Sequence, residues 1–162
     1  MPKVMEVVTV PAKTLRQRSQ DVVVSDIGTP DFQAFLDNLI ATMEVQHNAA
    51  GLAAPQVGNN IRVFVVNEKK GPTIYINPEI EILSESVVES EEGCFSVPGV
   101  WGIVPRAKKV RLSALDRHGR RLKIDAKAFQ AIVFQHEFDH LQGVLFIDKM
   151  THATKGEGTK SV

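Results

Sequence analysis

The sequence predicts an α+β fold in which antiparallel β-sheets pack around a central buried helix, with an amphipathic helix nearer the N terminus. Three observations support this prediction. They are the helical spacing of apolar residues over 31–46, several short β-branched runs between 61 and 124, and a nearly all-apolar helical segment over 128–141. Strands and helices that occur in such separate groups are typical of the α+β class.

Residues 31–46 predict the amphipathic helix. Apolar side chains recur there every three or four positions and therefore share one face of a helix, and Thr29-Pro30 supplies a start signal. The residues of this face are Phe32, Phe35, Leu36, Leu39, Ile40 and Met43.

Short β-branched runs predict the strands. Residues 61–66 and 73–76 flank a breaker segment at 69–72 and are predicted to form an antiparallel pair. Further strands are expected at 87–90, 109–115 and 122–124, and a glycine-containing turn at 116–119 joins the last two. Residues 50–58 are flanked by glycines and are predicted to form a turn.

Residues 1–150 are predicted to form a single domain, and residues 151–162 a polar, disordered tail. Basic and acidic residues each number 19, and the net charge of zero argues against broad binding to nucleic acid or to an anionic membrane. Cys94 is the only cysteine, so no intrachain disulfide can form. Since the chain also has neither a signal-peptide pattern nor an apolar run near the roughly 18 residues of a membrane span, we expect a cytoplasmic protein.

The predicted helix at 128–141 carries the motif His136-Glu-Phe-Asp-His140. Its histidines are four residues apart, so both imidazoles lie on one face and can reach a single ion, with Glu137 beside it. The surrounding apolar residues predict a buried helix, and unpaired polar groups there would destabilise the protein by several kcal/mol. A metal site explains these polar groups, and a pair of hydrogen-bonded core histidines is the alternative.

Two histidines leave a catalytic metal one protein ligand short of the usual three. Downstream of the motif the candidates are Asp148, His152 and Glu157, none at a familiar spacing. Upstream, Cys94 lies in a turn-like segment at 91–99 that could present a thiolate.

Three segments occur in an order that resembles the peptide deformylase family: Gly-Leu-Ala-Ala-Pro-Gln at 51–56, Glu-Gly-Cys-Phe-Ser at 92–96, and Gln-His-Glu-Phe-Asp-His at 135–140. The resemblance extends from the first helix to Met150. It implies the α+β fold of that family and its reaction, the metal-dependent removal of the formyl group from the N-terminal formylmethionine of nascent polypeptides, with release of formate.

The resemblance also implies a role for each matching residue. Cys94, His136 and His140 would hold one divalent metal ion, which the resemblance implies to be Fe(II) in the cell, with Zn(II), Ni(II) or Co(II) in a purified sample. Glu137 would act as general acid and base. Gln56 and the backbone N–H of Phe95 would stabilise the oxyanion.

The peptide is expected to lie extended beside the strand that precedes Gly51. By resemblance, its methionine side chain enters an apolar pocket lined by Ala50, Ile132, Val133 and Trp101. Glu92 and Asp139 are both candidates for a carboxylate that orients a ligand histidine, and Arg106 could pair with either. The sequence does not choose between the two carboxylates.

The chain departs from the family pattern at two positions. Ala49 stands where many deformylases have glycine, and Trp101 stands where many have arginine. The implied partners are formylmethionyl peptides and, transiently, the ribosome, although docking through the long basic C-terminal helix of some bacterial members is not expected. A zincin-like endopeptidase with another third ligand and a non-catalytic binding module are the rival interpretations, and Cys94 and Glu137 respectively argue against them.

Overall fold

The computed structural model describes residues 1–156. Three α-helices lie in this part of the chain: α1 (Pro30–Glu44), α2 (Ala128–Leu141) and α3 (Phe146–Lys149). It also contains eight strands: β1 (Gly51–Ala53), β2 (Val63–Glu68), β3 (Gly71–Ile82), β4 (Val87–Cys94), β5 (Val97–Ala107), β6 (Lys109–Leu115), β7 (Arg121–Lys127) and β8 (His152–Lys155). Short 3-10 turns occupy Lys13–Arg16, Val24–Asp26 and Ala54–Val57.

The strands form two sheets in which all the pairs of named strands are antiparallel. One sheet has five strands in the order β1-β2-β3-β6-β7, and the other has three in the order β4-β5-β8. The predicted β2–β3 and β6–β7 pairs are confirmed, with Val65 opposite Ile74 and Leu112 opposite Ile124. Among residues 1–156, β1 and β4 each lie at one edge of their sheet.

Helix α1 starts at the predicted signal, where the Thr29 hydroxyl accepts a hydrogen bond from the Phe32 N–H at 3.3 Å. This bond satisfies one of the backbone donors that a helix leaves free at its N terminus. The helix buries Leu36, Leu39 and Met43 in a cluster shared with β2 and β3.

Helix α2 spans the predicted segment and contacts β1, β2, β3 and β5. Its apolar side chains join a core in which the Phe134 ring lies 5.2 Å from Tyr75 and 6.4 Å from Phe64, centroid to centroid. Such tilted and edge-on ring pairs stabilise a core beyond the area that they bury. The core therefore fixes α2 in position, and with it the motif residues 136–140.

Two predictions about the chain path are wrong. Residues 152–155 form β8 against β5, although 151–162 was predicted to be disordered, and residues 157–162 lie outside the described residues. Residues 51–53 form β1 within the predicted turn. β8 has no buried side chain, and its pairing with β5 is made by the backbone, so no apolar pattern could reveal this strand.

None of the helices within residues 1–156 has both the length and the apolar character that crossing a membrane requires.

Candidate metal centre

The structure brings Cys94, His136 and His140 together at the end of β4 and on one face of α2. One potential ligand atom from each residue lies within 4.8 Å of the others, and Cys94 Sγ is 3.5 Å from His140 Nε2. Of the downstream alternatives, Asp148 and His152 do not join this cluster. Asp148 pairs with Arg16, His152 is exposed on β8, and Glu157 lies outside the described residues.

The chemistry of this cluster fits a divalent metal ion. One thiol and two imidazoles form a soft to intermediate donor set, which suits iron, zinc, cobalt or nickel. The Nδ1 atom of His136 lies 2.8 Å from Glu92 Oε1, so Nε2 is left to face the cluster. A carboxylate on the far nitrogen fixes the ring orientation of a ligand histidine in this way.

Glu137 lies beside the cluster with its side chain buried. The residue is 4% exposed, and Oε1 has no hydrogen-bond partner among residues 1–156. Burial raises the pKa of its carboxyl to about 7, against a smaller lowering effect of His136. A carboxyl with that pKa exchanges a proton readily near neutral pH.

Gln56 is buried at 2% exposure in the 3-10 turn after β1. Its Oε1 accepts a hydrogen bond from the Ala53 N–H at 2.9 Å, and this bond fixes the orientation of the side-chain amide. The amide nitrogen therefore points into the site, where it lies 3.5 Å from Cys94 Sγ and 3.2 Å from the Ser96 hydroxyl. Phe95, between these two residues in sequence, also lines the cleft.

A buried ion network supports the cluster from behind. Arg106 donates to both oxygens of Glu92, at 2.9 and 2.8 Å, and to Asp139 at 2.7 Å. Burial alone would raise the pKa of Glu92, but hydrogen bonds from Arg106 and His136 outweigh it and lower the pKa to about 2. Glu92 is therefore the carboxylate that contacts a ligand histidine, and Asp139 contacts Arg106 and Lys149 instead.

Sequence reasoning missed Lys149 and Ser96. Lys149 Nζ lies 3.0 Å from Asp139 Oδ1, which extends the ion network to α3. The Ser96 hydroxyl accepts a hydrogen bond from the Gln56 side-chain amide. The Ser96 position within the segment 92–96 was a signal for a role near the site, whereas nothing in the sequence around Lys149 indicated this contact.

A cleft of about 520 Å³ opens onto the cluster. Its walls come from β1, α2 and the β4–β5 hairpin, and they include all five residues predicted to contact substrate, Ala50, Gly51, Trp101, Ile132 and Val133. Ala49, the first departure from the family pattern, is buried in the core cluster that also contains Leu36 and Val65.

Gly51 has no room for a side chain. A Cβ atom built there would lie 2.9 Å from the Val65 carbonyl oxygen and 3.0 Å from Glu137 Cγ and Oε2. Glycine at this position therefore lets β1 approach the buried carboxyl closely.

With the proton-transfer role that the resemblance implies for Glu137, we expect Gly51→Ala to displace this carboxyl and to lower kcat for deformylation by about 100-fold, the order of effect that a misplaced group produces. Formate release in the assay proposed below measures this loss, and the bound metal is quantified in parallel. The matched control is Gly28→Ala, because a Cβ atom at Gly28 meets nothing within 4 Å. Unchanged kcat in Gly51→Ala would contradict the importance of this contact.

Together, the two sheets, the helix with two histidines and a buried acid, and the thiol at the end of β4 define the class of HExxH metalloproteins with an α+β fold. Within that class, the chain belongs to the polypeptide deformylase family, whose model matches residues 4–156.

Relatives and solved structures agree with this assignment. Peptide deformylase 2 of Nostoc sp. is 39% identical over 159 residues, which cover 92% of this chain and 87% of the relative. A Met-Ala-Ser-bound class I type b peptide deformylase from Acinetobacter baumannii matches with a TM-score of 0.86 and 31% identity, over 93% of this chain and 100% of that one. A peptide deformylase of Synechococcus elongatus in complex with actinonin matches with a TM-score of 0.84 and 34% identity, over 91% and 79% of the two chains.

Proposed function

We propose that this protein is a metal-dependent hydrolase that removes the formyl group from the N-terminal formylmethionine of nascent polypeptides and releases formate. The observation that supports this most directly is the position of Glu137. Its buried carboxyl, with a pKa of about 7, lines the same cleft as Cys94, His136 and the Gln56 side chain. Hydrolysis of a formamide requires three components: a group that carries the proton, a metal site, and a hydrogen-bond donor to the oxyanion.

In this proposal Cys94, His136 and His140 hold the ion, which is Fe(II) in the cell, while Zn(II), Ni(II) or Co(II) can replace it in purified protein. When bound, such an ion supplies Lewis acidity that makes a water molecule ionisable near neutral pH. Glu92 Oε1 lies 2.8 Å from His136 Nδ1. This contact holds His136 in the tautomer that turns Nε2 toward the cluster.

Glu137 moves the proton in both halves of the reaction. It takes a proton from the water that attacks the formyl carbon, and it returns that proton to the leaving amine nitrogen. The side-chain amide of Gln56 and the N–H of Phe95 donate hydrogen bonds to the oxyanion of the tetrahedral intermediate. Because the Ala53 N–H donates a hydrogen bond to Gln56 Oε1, the Gln56 amide nitrogen is already oriented before substrate binds.

The peptide would bind extended between the two sheet edges that border the cleft. β1 and β4 each lie at an edge of their sheet within the described chain, so each can offer backbone hydrogen bonds to an added strand. The methionine side chain then enters the inner part of the cleft, against Ala50, which precedes β1, and against Ile132 and Val133 on α2.

We also propose that residues 1–150, together with β8, act as one catalytic domain around α2, the central helix. Its substrates are nascent chains in the cytoplasm, with transient contact to the ribosome. The balanced charge of 19 basic and 19 acidic residues gives no support to nucleic-acid binding.

The test is formate release from formyl-Met-Ala-Ser by protein purified without oxygen and loaded with Fe(II) or Ni(II). We expect rapid release of formate from this peptide and no release of acetate from acetyl-Met-Ala-Ser. Peptide-bond cleavage detected by mass spectrometry would favour an endopeptidase. Absence of both reactions in folded, fully metallated protein would leave only a binding module.

Cys94→Ala is expected to bind less than one tenth of the metal held by the wild type, because two histidines alone are a weak site. The measurement is metal content after dialysis, with circular dichroism to confirm folding. Ser96→Ala, two residues along the chain, is the matched control and should keep its metal. Full metal occupancy in Cys94→Ala would place the third ligand elsewhere.

A further inference from the structure

Two successive residues at the end of β2 hold two walls of the cleft. The Asn67 N–H donates a hydrogen bond to the Ala50 carbonyl oxygen at 2.8 Å, and Ala50 lines the cleft. Glu68, the last residue of β2, accepts a hydrogen bond at 2.7 Å from the side-chain amide of Gln130 in the first turn of α2. Phe129 of the same turn also lines the cleft. The end of β2 therefore connects the wall beside β1 with the wall formed by α2.

The position of the Glu68 carboxylate is fixed by Tyr75. The Tyr75 hydroxyl lies 3.0 and 2.9 Å from the two carboxylate oxygens and donates to them. Tyr75 is 1% exposed, and its ring packs edge-on against Phe134 of α2 with 5.2 Å between the centroids. Burial and the adjacent Glu68 carboxylate raise the pKa of the Tyr75 hydroxyl above its usual value, so this group remains a donor. Glu68 is thus tied to the aromatic core.

The first turn of α2 has little support from its own sequence. Its N-cap residue Lys127 makes no side-chain capping bond, and no acidic residue lies in the turn. Ala128 has a φ of 55°, a conformation that residues with a Cβ atom rarely adopt. A helix that starts in this way depends on tertiary contacts, and the bond from Gln130 to Glu68 is one of them.

The residues of α2 beyond this turn are anchored by other contacts. The Gln135 side chain exchanges hydrogen bonds with the backbone of Ala107 at 2.9 and 3.0 Å, and His136 is held by Glu92. The potential metal ligands and the buried acid should therefore keep their positions when the first turn is loosened. The part of the cleft wall at the start of the helix, which includes Phe129, should not.

We propose that Glu68 is a positioning residue that sets the width of the cleft around the methionine side chain, through its hydrogen bonds to Tyr75 and Gln130. The inference rests on the proposed function and adds to it a residue that controls the choice of N-terminal side chain. With the walls held at a fixed separation, an unbranched side chain fits between them and a bulkier one is disfavoured. Glu68 is not among the residues that line the cleft, so it acts through the wall that it holds.

The first experiment compares kcat/KM for formyl-Met-Ala-Ser and formyl-Phe-Ala-Ser. In Glu68→Ala the ratio of the two values should fall by about three- to tenfold, the order of effect of one lost hydrogen bond. The loss for methionine should lie in KM, with little change in kcat or in bound metal. Gln130→Ala removes the same bond from the helix side, where alanine is a good helix former, and should lower the ratio equally.

Two further variants serve as controls. Glu68→Gln keeps an oxygen in the place of Oε1, which both Tyr75 and Gln130 reach, and should retain the wild-type ratio. Glu81→Ala removes an exposed carboxylate from the neighbouring strand β3 and should also retain it.

The double variant distinguishes one shared bond from two unrelated defects. If Glu68 and Gln130 act through the same bond, Glu68→Ala combined with Gln130→Ala should change the ratio no more than Glu68→Ala alone. An unchanged ratio in the folded single variants, or effects that add in the double variant, would overturn the inference. A lower Tm with an unchanged ratio would overturn it equally, because the bond would then contribute to stability alone.

Peptide binding gives a measurement that does not depend on turnover. Calorimetric titration of the metal-loaded protein with Met-Ala-Ser and Phe-Ala-Ser should show that the ratio of their Kd values shifts in Glu68→Ala and Gln130→Ala by about the same factor as the kinetic ratio. Equal Kd ratios in the wild type and the variants would contradict the inference. Absence of formate release from every formyl peptide, with the shift in Kd intact, would refute only the proposed reaction.

Discussion

Glu137→Gln is expected to lower kcat for deformylation by about 10²- to 10⁴-fold, the range that general acid–base catalysis contributes. Glutamine keeps the size and polarity of the side chain but cannot accept and return a proton. Since Glu137 is not among the three clustered potential ligands, the bound metal should remain at the wild-type level. Formate release and metal content, measured on the same samples, check both parts of this prediction.

The same substitution should stabilise the metal-free protein. Burial raises the pKa of the Glu137 carboxyl from 4.5 to about 7 in the folded chain. Between these values the unfolded chain has already lost the proton that the folded chain retains, so the free energy of unfolding falls as the pH rises from 4.5 to 7. Above pH 7 the free energy of unfolding is about 3 kcal/mol lower than it is below pH 4.5, and Glu137→Gln should remove this difference.

Urea unfolding of metal-free protein at pH 4.5 and pH 8 measures this effect. The variant should be more stable than the wild type at pH 8, and the two should be similar at pH 4.5. Glu89→Gln, an exposed position on β4, is the matched control and should alter neither stability nor activity. A less stable Glu137→Gln at pH 8 would mean that the carboxylate has a partner in the folded, metal-free state.

The helix at 128–141 was predictable because its signal is local. Its apolar residues and the spacing of His136 and His140 lie within one continuous segment, and α2 has those bounds. Cys94 is different, since it lies more than forty positions away and only the tertiary structure brings the end of β4 near the α2 histidines. Residue chemistry left several third ligands open, and the family resemblance selected Cys94.

Strand β5 and the carboxylate that contacts His136 could not be predicted from the sequence. β5 carries Pro98 and Pro105, residues that argue against a strand, yet it pairs with both β4 and β8. Glu92 and Asp139 are equivalent as sequence candidates, and only the direction of β4 turns Glu92 toward His136.

Arg106→Met is expected to lower the free energy of unfolding by about 3–5 kcal/mol at neutral pH. Arg106 is buried with Glu92 and Asp139. Its loss removes the cation that compensates the buried Glu92 and leaves Asp139 paired only with the half-exposed Lys149. Because Glu92 also holds His136, metal affinity should fall by about 10- to 100-fold. Arg111→Met is the matched control, since the Arg111–Asp125 pair is largely exposed and should add little stability.

The pH dependence separates loss of charge from loss of packing. In the wild type the pKa of Glu92 is lowered from 4.5 to about 2, so its ionised form stabilises the protein above pH 4.5 and that stability is lost as the pH falls toward 2. The difference between the wild type and Arg106→Met should therefore narrow across this window. Adding Glu92→Gln and Asp139→Asn to Arg106→Met should recover part of the stability, because no charge is then left buried alone. A difference that stays constant from pH 6 to pH 2, with no recovery in the triple variant, would show that Arg106 acts through packing.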